Sequence, residues 1–168
     1  MLLDHLQNRS QAQRLREEIL CSFVIGLFAR KLAPKLGQHE TEVAFVCGTF
    51  HKLGRMLATY YFFDESLAVR KRLSHEPEAE ASRHVLGVSY TELGLAVARL
   101  WNLPEDIVFS LEAWDMPVLK TPKTEAERLR TIAELACALF ESVYSTTNEE
   151  RQRCIDAIEQ RYGRVISL

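Results

Sequence analysis

The sequence lacks the local signatures of several common protein classes. It has no glycine-rich turn after a strand, which a P-loop or a dinucleotide-binding fingerprint requires. It also has no C-x-x-C pair, and its four cysteines are widely spaced: Cys21, Cys47, Cys137 and Cys154. We therefore expect four free thiols, rather than a disulfide framework or a zinc cluster.

Long apolar runs and a strong net charge are also missing. The run from Ile19 to Ala29 is shorter than the about 20 apolar residues that cross a bilayer, so it indicates a core helix. We expect no signal peptide before this run. The formal net charge of -2 gives no general attraction to nucleic acid or to anionic membranes. These features predict a cytoplasmic protein that binds neither nucleic acid nor membrane.

The pattern that recurs along the 168 residues is helical. No segment shows sustained strand alternation followed by hairpin turns. Three capping boxes predict helix starts: Ser89 with Glu92, Thr124 with Glu127, and Thr147 with Glu150. The sequence therefore predicts one all-α domain over residues 1–168, a globular bundle of about seven or eight helices.

The segment from Glu42 to Tyr61 is predicted to form one buried helix, around which the rest of the chain is organised. Its apolar residues recur at the spacing of a helix face. A second face consists of small residues that line up with His51: Ala44, Gly48, Gly54 and Ala58. Because a helical glycine costs about 1 kcal/mol relative to alanine, the two glycines indicate close approach of another helix.

The flanking segments are also predicted to be helical. The stretch from Leu2 to Leu36 is polar at first and then apolar nearly all round, so its second half should be buried among other helices. Trp101 ends one helix and Pro104 lies in the first turn of the next, which predicts the indole as a core anchor between them. Gly163 is predicted to end the last helix.

The five histidines do not form a metal-binding pair, because no two of them are four residues apart on a helix. His51 is the one histidine inside a predicted core helix. A single histidine in this setting is more often a hydrogen-bonded core residue than a metal ligand, and we interpret it so.

Two segments resemble the HDOD branch of the HD-type phosphohydrolases. AFVCGTFHKLGRML is similar to A-F-x-x-G-L-L-H-D-I-G-K, and LGVSYTELGLAVARLWNLPEDIVFSLEAW is similar to the segment that ends in W-x-L-P-x-x-I. The positions of the family motif, which is degenerate in this sequence, are His51, Lys52, Gly54, Trp101 and Pro104. The resemblance implies an HD-like helical fold and a non-catalytic signalling module of bacteria.

The sequence departs from the pattern of the active HD enzymes, in which a His-Asp pair and further histidines bind metal. Lys52 stands at the aspartate position. The later histidine positions fall on Ser89 or Tyr90, and on Ala113, Trp114 or Asp115. The resemblance therefore implies no catalytic residue, no metal and no other cofactor.

The early HDOD helices, with their L-R-L-A-N-S segment, are not visible. We expect the chain to be the C-terminal portion of a longer HDOD region. The sequence also resembles HDOD segments attached to bacterial serine/threonine kinases, which implies a multidomain signalling protein. If helices are missing, the exposed apolar surface could drive self-association.

The expected function is non-enzymatic regulation through contacts with a protein partner or a neighbouring domain, and a homo-oligomer is possible. One alternative is a divergent, metal-dependent HD-type phosphohydrolase, which a metal assay would distinguish. A second alternative is a purely structural dimerisation module, which size measurement and pull-down would distinguish.

Overall fold

The computed structural model describes residues 9–114, 116–145 and 147–166, and their regular structure is entirely helical. The helices are α1 Arg9–Leu32, a 3₁₀ turn Ala33–Leu36, α2 Thr41–Phe50, α3 Leu53–Tyr61, α4 Phe63–Arg72, α5 Glu78–Leu86, α6 Tyr90–Leu100, α7 Glu105–Ser110, α8 Glu125–Tyr144 and α9 Asn148–Ile166. The predicted all-α class is confirmed. The start of the predicted N-terminal helix, Leu2 to Asn8, lies outside the described residues.

The chain divides into two compact units. The first contains the described part of Met1–Cys21 together with Lys52–Leu103, and the second contains Ser22–His51 and the described part of Pro104–Leu168. Helix α1 contributes its first half to one unit and its second half to the other.

The prediction of a single helix from Glu42 to Tyr61 is wrong. Helix α2 ends at Phe50 and α3 begins at Leu53, with His51 and Lys52 forming a turn. The N–H of His51 donates to the carbonyl of Gly48 at 3.3 Å, three residues back instead of four. Lys52 has φ -101° and ψ 19°, outside the helical region. This break divides the predicted helix into two shorter ones.

In the first unit, α3 packs on α6, and α4 packs on α5. A cluster of Ala58, Val69, Ala81 and Tyr90 forms its core. A Cβ atom added to Gly54 would lie 1.7 Å from the carbonyl oxygen of Tyr90, and one added to Gly94 would lie 2.9 Å from the nitrogen of Gly54. The backbones of α3 and α6 therefore touch, as the glycine predicts.

In the second unit, α2 packs on α7 and α8, and α8 packs on α9. Its main cluster contains Leu119, Leu135, Ile158 and Tyr162. A Cβ atom on Gly48 would lie 2.7 Å from that of Ala29, so α2 closely approaches the second half of α1. The predicted close approach at both glycines is confirmed, but it involves two different neighbouring helices.

The three predicted capping boxes are present. The N–H groups of Glu92, Glu127 and Glu150 donate to Ser89, Thr124 and Thr147 at 3.1, 3.2 and 3.1 Å. In each box, the glutamate carboxylate accepts from the backbone N–H of the capping residue.

Trp101 is not the predicted core anchor, because 51% of it is exposed. Helix α6 ends in a Schellman motif: Leu103 N–H donates to the Ala98 carbonyl at 3.0 Å, and Asn102 has φ 52°. In this motif, the apolar contact comes from the residue after the left-handed one. Leu103 therefore turns inward and is half-buried, while Trp101 stays outside.

Two further predictions are wrong. The apolar half of α1 is not buried all round, since Ile19, Leu20, Phe23 and Leu27 are exposed. Gly163 does not end α9, which continues to Ile166, because this glycine does not adopt the left-handed conformation seen at Gly37 and Gly87. All four cysteines are free thiols, as predicted.

Candidate functional site

The family-motif residues of the first segment lie at the start of α3. His51 follows the last residue of α2, Lys52 is the N-cap of α3, and Gly54 is buried in the first turn of α3. The side chains of His51 and Lys52 are partly buried. The helix start is fixed against α6 through Gly54, so the position of Lys52 is set by a rigid contact.

Arg55, one residue after Gly54, is the centre of an ionic cluster in the first unit. Its Nη2 contacts Glu78 Oε1 on α5, and its Nη1 lies 3.9 Å from Glu18 Oε2 on α1. The side chains of Arg55, Glu78 and Glu18 are 29%, 31% and 14% exposed. Arg55 therefore links α3 to two helices that are distant in sequence.

Burial raises the pKa of three groups in and around this cluster. Burial raises the pKa of Glu18, and the positive charges of Arg55 and Lys52 oppose this rise. Burial also raises the pKa of Tyr90 to about 12, with Glu78 adding to the effect. Burial raises the pKa of the Cys21 thiol as well. At neutral pH neither the phenol nor the thiol is therefore an activated nucleophile.

The residues at the implied metal position do not fit a divalent ion. Lys52 has no lone pair to offer when protonated, and the histidine position holds the Tyr90 phenol or the Ser89 hydroxyl. Glu18 and Glu78 already face the Arg55 guanidinium. Within the described ranges, no three His, Cys, Asp or Glu side chains form a group that could hold a metal.

Two of the last implied ligand positions, Ala113 and Trp114, lie in the second unit beside a buried arginine. Ala113 is exposed and Trp114 is half-buried, whereas Asp115 lies outside the described residues. Arg130, on α8, donates through Nε to the Glu112 carbonyl at 2.7 Å and through Nη2 to the Ala113 carbonyl. Its guanidinium carbon lies 4.0 Å from the centroid of the Trp114 ring.

Sequence reasoning missed both arginines that hold the segment after α7. Arg161, on α9, donates to the Met116 carbonyl at 2.5 Å and to Glu134 at 2.6 Å. The available signal was Arg130 itself, a cation inside the apolar stretch that begins at Leu129. An arginine in such a stretch requires partners, and backbone carbonyls of an irregular segment supply them.

The remaining motif positions are at the connection between α6 and α7. Within the first unit, Gly54 contacts the start of α6, whereas Trp101 follows its end. Pro104 is the exposed N-cap of α7, not a residue of its first turn. Its fixed φ suits this position, and the acidic first turn of Glu105 and Asp106 follows it.

Glu18 should make the stability of the chain depend on pH. Because its pKa is raised in the folded state, the folded protein binds this proton more tightly than the unfolded chain does. Relative to Glu18→Gln, the wild type should lose stability as the pH rises from the ordinary value of 4.5 through the raised pKa. Urea unfolding of both proteins across this range tests the prediction. The free energy of unfolding of the wild type minus that of Glu18→Gln should fall as the pH rises, and a value that stays constant or increases would contradict it.

No described helix meets the length and hydropathy needed to cross a membrane.

Comparisons with known proteins agree with this fold. The profile of the HDOD domain matches residues 2–117. A crystal structure from Shewanella amazonensis, described as a "putative phosphohydrolase", aligns with a TM-score of 0.65 and 17% identity. The alignment covers 91% of this chain but only 58% of that one, and at this identity the likeness concerns the fold alone. No curated protein sequence gives a significant match. Because the profile covers more than half of the sequence, the chain belongs to the HDOD domain family.

Proposed function

We propose that this chain is a non-enzymatic regulatory domain of bacterial signal transduction. It acts through contacts with a protein partner or with a neighbouring domain. The observation that carries the proposal is Lys52, a cation at the position where active HD enzymes have a metal-binding aspartate.

The charge arrangement at the start of α3 argues against hydrolytic chemistry. A catalytic metal site needs about three protein ligands and one open position. Here, a lysine next to His51 would oppose a cation by about 4 kcal/mol at 4 Å for an effective dielectric near 20. The nearby carboxylates Glu18 and Glu78 are engaged by Arg55. Replacing Lys52 alone therefore leaves the site short of ligands.

The exposed apolar side chains support a role in binding. Leu20, Leu100 and Tyr144 are 64%, 76% and 70% exposed, and half of the Trp101 residue is exposed. Isolated exposed apolar residues are common on proteins, but adjacent ones, such as Leu100 and Trp101, form continuous apolar surface of the kind that another protein covers. Tryptophan, tyrosine and arginine are also the residue types that contribute most to protein interfaces.

A second candidate is a divergent phosphohydrolase, because the solved structure with the same fold carries that description. Its residue-level support is His51, the one expected ligand that remains at its motif position.

A metal and turnover assay tests the proposal. Protein purified without chelator should contain no stoichiometric metal, and it should not hydrolyse nucleotides or cyclic dinucleotides with added manganese. Lys52→Asp, which restores the His-Asp pair, should also stay inactive, because the other ligands are missing.

Two outcomes would refute this assignment and favour the phosphohydrolase. One is stoichiometric bound metal. The other is turnover that His51→Ala abolishes while circular dichroism shows a folded protein.

A further inference from the structure

Helix α1 exposes a stripe of residues with alternating spacings of four and three. We name it the α1 seam; its members are Arg9, Gln13, Arg16, Leu20, Phe23, Leu27 and Arg30. This alternation is the spacing of residues along which two helices pair. The three central residues are apolar yet 64%, 50% and 38% exposed. Because all members lie on one continuous helix, helix periodicity alone places them on one face.

The charges of the α1 seam have one sign. Arg16 precedes the apolar centre and Arg30 follows it, with Lys31 beside it. The acidic residues of α1 are not members of the seam. The Glu17 side chain is 45% exposed but already pairs with Arg14 at 2.8 Å and accepts from Gln13 at 3.3 Å, and Glu18 faces Arg55. Arg30 pairs with Glu42 at 2.9 Å, but both side chains are more than half exposed, so this pair contributes little and can be exchanged.

We propose that the α1 seam binds an α-helix of a partner protein whose own apolar centre is flanked by carboxylates. The inference rests on the proposed function and specifies the chemistry of the partner. At 1.5 Å per residue, Leu20 and Leu27 are about 10 Å apart, and Arg16 and Arg30 about 21 Å apart. The partner helix therefore needs about four turns, with apolar residues in the middle and Asp or Glu at both ends.

A second copy of α1 fits the seam poorly. An antiparallel pair centred on Phe23 would place Arg16 of each copy against Arg30 of the other. A parallel pair would place each Arg16 against its own equivalent. Like charges facing each other across a seam are unfavourable, whereas carboxylates at these positions would form ion pairs.

An anionic membrane also fits the seam poorly. Helices that lie on membranes carry their cations on the polar face, beside an apolar face that runs along the helix. In α1, Arg16 and Arg30 lie in line with Leu20 and Leu27, so a membrane would receive charges along the apolar line itself. The Phe23 ring packs edge-on against Phe45 at 5.6 Å between centroids, which gives a helix a fixed ring to pack against.

Two labelled helical peptides of about 18 residues test the proposal by fluorescence anisotropy with the whole chain. Both have leucines at the central seam positions; one has glutamates at the flanking positions, and the other has lysines. The glutamate peptide should bind at least about tenfold more tightly, and its advantage should shrink as salt is raised. Equal affinities, or no binding of either peptide, would overturn the proposal.

Variants place the binding on the α1 seam. Phe23→Glu should lower the affinity for the glutamate peptide at least about tenfold. Arg16→Glu should reduce the preference for the glutamate peptide over the lysine peptide. The matched control is Val143→Glu, which puts the same charge on a residue of α8 that is 64% exposed and should bind like wild type. An equal loss of affinity in Val143→Glu, or no loss of affinity in Phe23→Glu, would refute the assignment of binding to the α1 seam.

Sedimentation and vesicle binding test the other occupants. A wild-type dimer that Phe23→Glu dissociates would assign the seam to a second copy. Binding to phosphatidylserine vesicles without binding to the glutamate peptide would assign it to a membrane. Either result overturns the helix proposal but leaves the non-enzymatic assignment standing, because the latter fails only through bound metal or turnover.

Discussion

Gly54→Ala should destabilise the chain by about 3 kcal/mol or more, at the upper end of the cost of overpacking. The new methyl group would lie 1.7 Å from the Tyr90 carbonyl oxygen and 2.9 Å from the Gly94 nitrogen. Both atoms are backbone atoms, so no rotamer change can make room. The helices α3 and α6 would have to separate, and the cluster around Ala58 and Tyr90 would lose contacts.

Gly163→Ala is the matched control for this substitution. Gly163 is also helical, but a Cβ atom added there meets nothing within 4 Å. The control should therefore stabilise the protein by up to about 1 kcal/mol, because alanine is the better helix former. Urea unfolding measures both changes, and similar effects of the two substitutions would contradict the backbone contact between α3 and α6.

Arg130→Met should cost about 3 kcal/mol. Methionine keeps part of the apolar stem but loses the charge-assisted hydrogen bonds to the carbonyls of Glu112 and Ala113. It also removes the cation that lies over the Trp114 and Phe109 rings. The carbonyls would be left without these donors, and the segment after α7 should become accessible to protease.

Arg153→Met provides the comparison. This arginine makes an exposed pair with Glu149 at 3.7 Å, so its removal should change the free energy of unfolding by less than about 0.5 kcal/mol. Thermal unfolding with limited proteolysis compares the two variants. Wild-type stability of Arg130→Met, or equal losses in both variants, would show that the buried arginine does not hold this segment.

Local features of the sequence predicted much of the fold. Capping boxes such as Ser89 with Glu92 depend on four adjacent residues, so their hydrogen bonds could be predicted without tertiary information. The break at His51 and Lys52 could not, because helical periodicity continues across it and neither residue is a glycine or a proline. Trp101 was misplaced because a Schellman motif buries Leu103 instead, a choice that depends on Asn102 adopting positive φ.

The candidate site was only partly predictable for the same reason. The family motif aligns Lys52 with the aspartate position of the active enzymes, and the charge of this residue is known from the sequence alone. The ion pairs of Arg55 could not be predicted from the sequence, because its partners Glu18 and Glu78 lie on α1 and α5 and approach it only in the folded chain. Only the tertiary structure shows which carboxylates are already paired with a cation.

The discontinuous composition of the second unit has a consequence for folding during synthesis. Helix α2 ends at Phe50, but α8, on which it packs, begins only at Glu125. At ribosomal rates of about 5–20 residues per second, α2 waits roughly 4–15 s for this partner. During that interval the face of α2 that packs on α8 in the folded protein has no partner. A chaperone that binds nascent apolar helices would therefore have access to α2 before α7, α8 and α9 of the second unit are made.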